Sequence, residues 1–294
     1  MGSLESEPPA PAPAPAPAPA LTIPVVDISG YLSGDASATS SIAAALHSAA
    51  RAPGFFQVVG HGVSPDLRAR VFERLAAFYR LPAGQKLALH RDNSPNGLRG
   101  YEAVGNQTLE PGFADRKEGF MVGAELASGE TARFLQGANQ WPDEDACPGF
   151  RDTMMEYFER LRALSKTMFR LMALSLSLDE KYFDAFVGSK DLGGLEVFHR
   201  PTQTWHPVTP VKDAFVVNIG DMMERWTNEK YTSTLHRVIS PVSDRDRYSV
   251  AFFNEGLLDQ IIECIPTCLE PGAEPLYEPV QVEAHLRKRY GSSY

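Results

Sequence analysis

Residues 214–253, AFVVNIGDMMERWTNEKYTSTLHRVISPVSDRDRYSVAFF, decide how this chain is read. Three apolar runs, at 214–219, 232–239 and 248–253, predict β-strands. Turn chemistry separates them: Gly220-Asp221 and Thr227-Asn228 on one side, the polar run 240–247 on the other. Side chains alternate along a strand, so Thr234 and His236 share one face, and Arg247 and Ser249 likewise share a face. Imidazole is the commonest protein metal ligand. A guanidinium fork fits a carboxylate bidentately, and a neighbouring hydroxyl adds a further bond. His236 is therefore a candidate metal ligand, and Arg247 and Ser249 are candidates for holding a small dicarboxylate beside it. Taken singly, each has a plainer reading, as a strand histidine or a surface cation.

Working outward, FHRPTQTWHPV (198–208) predicts a hairpin turning at Pro201, and residues 261–266 and 282–290 predict a further strand and a terminal helix. Upstream, Phe150, Met154, Tyr157, Phe158, Leu161, Met168, Leu171 and Met172 keep a period near 3.6 and predict one long helix, 150–174. Residues 177–180 have the capping-box spelling, predicting a short helix through 186. Near the start, LTIPVVDIS (21–29) reads as a strand placed at an edge by Pro24. A helix over 41–51 and a strand within GFFQVVGHGV (54–63) follow. Ser64-Pro65-Asp66 then opens a helix whose stripe is Leu67, Val71, Leu75 and Phe78. Residues 8–20, PPAPAPAPAPAPA, favour polyproline II and bury nothing, so 1–20 is expected to be a solvated tail.

Composition narrows the function classes. The net charge is −9, and no basic cluster exceeds Arg287-Lys288-Arg289, which argues against nucleic acid or an anionic membrane as partner. No apolar run approaches the ~20 residues of a membrane span, and residues 1–9 are too polar for a secretory signal. Three cysteines suit a reducing compartment better than a disulfide framework, and the expected location is cytoplasmic. Cys264 and Cys268 could begin a zinc site, but no second ligand pair follows at suitable spacing.

The phrases VVNIGDMMERWTN, STLHRV and RYSVAFF, in that order, resemble the C-terminal half of Fe(II)/2-oxoglutarate-dependent dioxygenases of the isopenicillin N synthase type. PVVDIS, GFFQVVGHGV, DRKEGFMVG and NQWP extend the likeness through the N-terminal region. The resemblance implies a mainly β fold with flanking helices, built on a double-stranded β-helix or jelly-roll core. It implies an N-terminal region (21–148), a helical connection (149–189) and a catalytic jelly-roll domain (190–294). Fe(II) and 2-oxoglutarate would be cofactor and cosubstrate, O2 and a small organic molecule the other reactants. Hydroxylation, desaturation or ring closure in specialised metabolism would be the outcome. Carried over position by position, His236 becomes the distal iron ligand and Arg247 and Ser249 the partners of the far carboxylate. His61 falls in the family's scaffold motif, outside its site.

One part of the pattern is missing. In the relatives, two strands bearing a His-x-Asp pair precede Gly-Gly-Leu-Glu-Val; here Gly188-Ser189-Lys190-Asp191 runs straight into Leu192 and that phrase. The chain is expected to hold no His-x-Asp at all and to lack about two strands of the jelly-roll. His236 would then be the one identifiable member of the 2-His-1-carboxylate triad. His199, His206, Asp191 and Glu196 are the candidates to replace the others. The alternative to an active dioxygenase is a shortened, catalytically inactive relative that keeps the scaffold and a carboxylate-binding corner. An uncovered sheet edge would also invite pairing with a second copy.

Overall fold

Asp35 starts the first long helix by accepting hydrogen bonds from the backbone N–H groups of Ser37 and Ala38. That helix, α2 below, begins five residues before the predicted start, because the cap outweighs the small polar run that reads as loop. The computed structural model describes residues 21–94, 98–105, 108–110, 113–114, 117–126, 129–186, 195–238 and 246–291. The Pro/Ala tail, the junction at 188–192 and Asp191 lie outside the described residues.

In chain order, β1 (Val25–Asp27) leads through α1 (Ser29–Leu32) and α2 (Ala36–Arg51) to β2 (Phe55–Val59). Ser64 caps α3 (Pro65–Tyr79) as predicted, and its stripe of Leu67, Val71, Leu75 and Phe78 is buried. Next come α4 (Ala83–Ala88), β3 (Gly100–Glu102), β4 (Thr108–Glu110), β5 (Phe113–Ala114) and β6 (Gly119–Met121). Helix α5 (Phe150–Ser175) buries the predicted row from Phe150 to Met172. Its N-terminal half joins α3 in one apolar cluster, and its C-terminal half joins α2 and β2 in another. The chain then supplies β7 (Leu195–His199), β8 (Thr204–Pro207), β9 (Phe215–Asn218), α6 (Asp221–Trp226) and β10 (His236–Val238). It ends in β11 (Ile261–Ile262), β12 (Val280–Gln281) and α7 (Val282–Tyr290), the last with the bounds predicted.

Two expectations fail locally. No α-helix follows Ser177, whose φ of +59° is left-handed and incompatible with an extended N-cap. Asp179 instead accepts from Lys181 N–H in a turn, and only Asp184–Phe186 coil into a short 3-10 turn. Residues 248–253 form no strand, although Tyr248, Val250 and Phe252 still pack into the α3–α5 cluster.

Two three-stranded sheets carry the site. In one, β2 lies between β1, its parallel edge neighbour, and antiparallel β9. In the other, β7 lies between β10 and β8, all antiparallel. The predicted hairpin is β7–β8, with Trp205 stacked near Phe198 and under the Arg237 guanidinium, which sits 4.2 Å from the ring centre. Among the described residues these sheets do not close into a barrel.

Candidate functional site

His236 opens β10, and the segment before it is fixed to the junction between the end of α2 and the start of β2. Thr232 N–H donates to the Ala50 carbonyl at 2.9 Å, and its hydroxyl donates to the Arg51 carbonyl at 2.9 Å. Thr234, itself buried, donates its hydroxyl to the Pro53 carbonyl at 2.7 Å. Gly54, at φ +77°, allows this approach: a Cβ there would collide with the Thr232 carbonyl. Ser233 is held from both sides, its N–H by Glu224 of α6 at 2.8 Å and its carbonyl by Arg200 at 2.8 Å. The His236 ring then rests edge-on against buried Phe55, 5.5 Å between centres, with Nδ1 3.1 Å from the Thr234 carbonyl. A carbonyl only accepts, so Nδ1 carries the proton and Nε2 keeps its lone pair.

The register places His236 opposite Val197, and Val197 opposite His206, so these three side chains share one sheet face. His206 is two strands from His236, roughly 10 Å at the backbone. It is engaged elsewhere. His199 Nδ1 meets Thr202 Oγ1 at 2.7 Å, Thr202 meets Thr204 at 2.6 Å, and Thr204 meets His206 Nε2 at 2.9 Å. The two rings stand perpendicular, 5.6 Å apart. These histidines hold the hairpin together, and the structure does not bring them to His236. For Glu196 only the backbone is described, paired with Arg237.

Arg247 is exposed and Ser249 half-buried. In sequence they alternate with Tyr248, Val250 and Phe252, which pack into the α3–α5 cluster without strand pairing. His61 is structural, as expected. It is buried, Nδ1 accepts from Val63 N–H at 3.1 Å, and Nε2 donates to the Asp213 carbonyl at 2.8 Å. Burial lowers its pKa below the ordinary histidine value. Sequence reasoning missed the Thr232–Thr234 anchor and the Phe55 platform. Gly54 ahead of an apolar strand was the available signal for a close backbone approach.

The expectation that the chain holds no His-x-Asp is corrected: His90-Arg91-Asp92 has that spelling. It serves a different purpose. His90 Nδ1 caps a short 3-10 turn by accepting from Asp92 N–H at 3.4 Å, and Arg91 makes a buried ion pair with Glu102 at 2.8 Å. Among the described residues no group of three His, Cys, Asp or Glu side chains could hold a metal ion.

A model of the N-terminal region of non-haem dioxygenases of morphine synthesis matches residues 23–144. That of the 2OG-Fe(II) oxygenase superfamily matches residues 178–256, the stretch that contains His236, Arg247 and Ser249. The chain belongs to the 2-oxoglutarate/Fe(II) oxygenase superfamily. A 2-oxoglutarate-Fe(II) type oxidoreductase of Emericella nidulans is 33% identical over 318 aligned positions, covering 92% of this chain and 90% of the relative. A 2-oxoglutarate-dependent dioxygenase of Monascus ruber is 32% identical, covering 92% and 95%. A full-length Neurospora crassa protein crystallised with alpha-ketoglutarate superposes with a TM-score of 0.80 at 28% identity, over 94% of this chain and 98% of that one. The fold is accordingly the oxygenase jelly-roll. Fe(II) and 2-oxoglutarate are the superfamily's metal and cosubstrate. The described residues do not fit the metal by themselves: no three His, Cys, Asp or Glu side chains among them converge to hold it. No described helix is long and apolar enough to cross a membrane.

Proposed function

We propose that this chain works through the superfamily's cosubstrate corner, with Arg247 and Ser249 taking the far carboxylate of 2-oxoglutarate and His236 facing its metal end. The reaction supported is O2-dependent oxidation of a small organic molecule of specialised metabolism, by hydroxylation, desaturation or ring closure. The observation that carries the reading is the exposure of Arg247 beside a packed segment. Tyr248, Val250 and Phe252 pack into the core, while Arg247 is exposed and available to a ligand, with half-buried Ser249 two residues on. Arg supplies a charge that pairs with a carboxylate in two parallel bonds, and the serine hydroxyl adds a donor.

The test is calorimetric titration of the chain with 2-oxoglutarate. Arg247→Ala abolishes binding and Ser249→Ala weakens it. Arg247→Lys keeps the charge but loses the fork, so it retains a fraction of the affinity. Binding that is indifferent to Arg247 overturns the assignment. The functional division follows the same reading, with 21–148 as scaffold, 149–189 as connection and 190–294 as the oxidising domain. We assign the chain to the cytoplasm, in keeping with its free thiols at Cys147, Cys264 and Cys268. It is assigned no nucleic-acid or membrane partner, in keeping with its acidic balance. Self-association through the β10 edge would appear as a concentration-dependent mass in sedimentation.

A further inference from the structure

The ladder between β10 and β7 fixes which way the backbone of β10 points. Phe198 N–H donates to the Leu235 carbonyl, so 235 and 198 are a hydrogen-bonded pair. Pairs alternate in an antiparallel ladder. Arg237 therefore bonds inward to β7, whereas the N–H and C=O groups of His236 and Val238 point to the outer edge. Among the described residues no strand lies there: the order is β10-β7-β8, with β10 outermost. The side chains agree with that placement. All of His236, Arg237 and Val238 are exposed, Val238 at 50% and neighbouring Leu235 at 63%, which are high values for aliphatic residues beside a sheet.

Two further observations bear on what is absent. In sequence, Gly188-Ser189-Lys190-Asp191 runs straight into Leu192, where the resemblance to the oxygenases implies two strands and a His-x-Asp pair. The alignment with the Emericella nidulans relative runs over 318 positions but takes in only 92% of this 294-residue chain. Several tens of the relative's positions therefore have no counterpart here.

We infer that the metal site is incomplete among the described residues, and that the outer edge of β10 is the seat of the absent ligand-bearing strand. The inference rests on His236 being the distal ligand, as read above. A strand paired there would cover Leu235 and Val238, satisfy the outward groups of His236 and Val238, and bring its own donors alongside the imidazole. Without it, the described residues offer a metal ion no set of three donors. Outer-shell partners alone change metal affinity by about 10–100-fold, so two missing inner ligands lower it by at least about 100-fold.

The experiment titrates the chain with Co(II) alone, beside His236→Ala and an insertion variant carrying a relative's two-strand His-x-Asp segment between Gly188 and Leu192. Amide hydrogen exchange at His236 and Val238 is read in parallel. The chain is expected to bind Co(II) no more tightly than His236→Ala does. The insertion variant is expected to bind one equivalent at least about 100-fold more tightly, dependent on His236, and to protect both amides. One tight equivalent in the chain as it stands, lost in His236→Ala, overturns the inference and leaves the functional reading standing. Protected amides with no His236-dependent metal in the insertion variant overturn the functional reading instead. Tight metal with unprotected amides overturns the placement of the strand at β10. The comparison of the chain with His236→Ala decides the incompleteness of the site even if the insertion variant does not fold.

Discussion

Strands β2 (FFQVV) and β10 (HRV) are both short, and both belong to phrases that resemble the oxygenases. Their fates differ. In β2, Phe55, Phe56, Gln57 and Val58 are all buried, because β1 and β9 flank it and α2 and α5 close over it. In β10 every residue is exposed, because only β7 flanks it. Local propensity makes a strand; neighbours make it a core strand. Valine shows this directly, since Val58 is 1% exposed and Val238 is 50% exposed.

The largest test of the contrast is truncation on each side. Phe55→Ala or Phe56→Ala should cost about 3–5 kcal/mol in urea unfolding, from lost burial plus the cavity left behind. Val238→Ala should stay within about 0.5 kcal/mol. A large loss at Val238 would mean that β10 is covered in solution, by a second copy or by residues outside those described, and the contrast would collapse.

Next comes the seam where the two sheets meet. Gly54→Ala asks for a left-handed alanine and drives its Cβ into the Thr232 carbonyl. Backbone strain of this kind costs of order 1–3 kcal/mol and the clash adds to it. The expected result is lower stability together with a displaced β10, seen as changed chemical shifts around His236. If stability falls while the His236 signals stay put, the anchor does not position the site.

Thr234→Val isolates a single bond of that anchor. It keeps the shape but leaves the Pro53 carbonyl without its 2.7 Å donor, at a cost of about 1–3 kcal/mol. Because Thr234 connects β2 to β10, the same substitution should loosen the His236–Phe55 contact. That makes it a sharper probe of the seam than any change in β10 alone.

These elements also mark what was legible in the sequence. The stripe of α3, the row along α5 and the bounds of α7 were readable because amphipathic helices announce themselves by period and cap. The hairpin around Pro201 and the edge position of β1 followed from turn chemistry and Pro24. The failures were tertiary. Residues 248–253 have a strand's alternation, but a strand also needs a paired neighbour, and sequence does not supply one. Ser177 has a cap's spelling but a left-handed backbone. His90-Arg91-Asp92 shows the converse: a ligand spelling spent on a turn cap and a buried ion pair, with no third donor near it among the described residues. His236, Arg247 and Ser249 were named from order and spacing. The bolting of residues 232–234 to the junction between α2 and β2 lay in backbone carbonyls that no motif records.

The smallest effect separates the buried side of the molecule from the exposed one by pH. His61 lies on the β2 side, buried, with Nδ1 accepting from Val63 N–H and Nε2 donating to the Asp213 carbonyl. A second proton has no place on Nδ1 without breaking the Val63 bond, and burial already disfavours the cation. Arg68 nearby disfavours it further, while the Asp213 carboxylate, paired with Arg68 at 2.6 Å, offsets part of that. The folded-state pKa therefore lies below the unfolded value of about 6.5. Between those two values the unfolded chain binds the extra proton and the folded chain does not, so stability falls as pH drops through that window and is fully present above it. Urea unfolding from pH 7.5 to 5 should show this loss, and His61→Asn should flatten it. An unchanged slope in His61→Asn would show that the buried β2 side does not carry it.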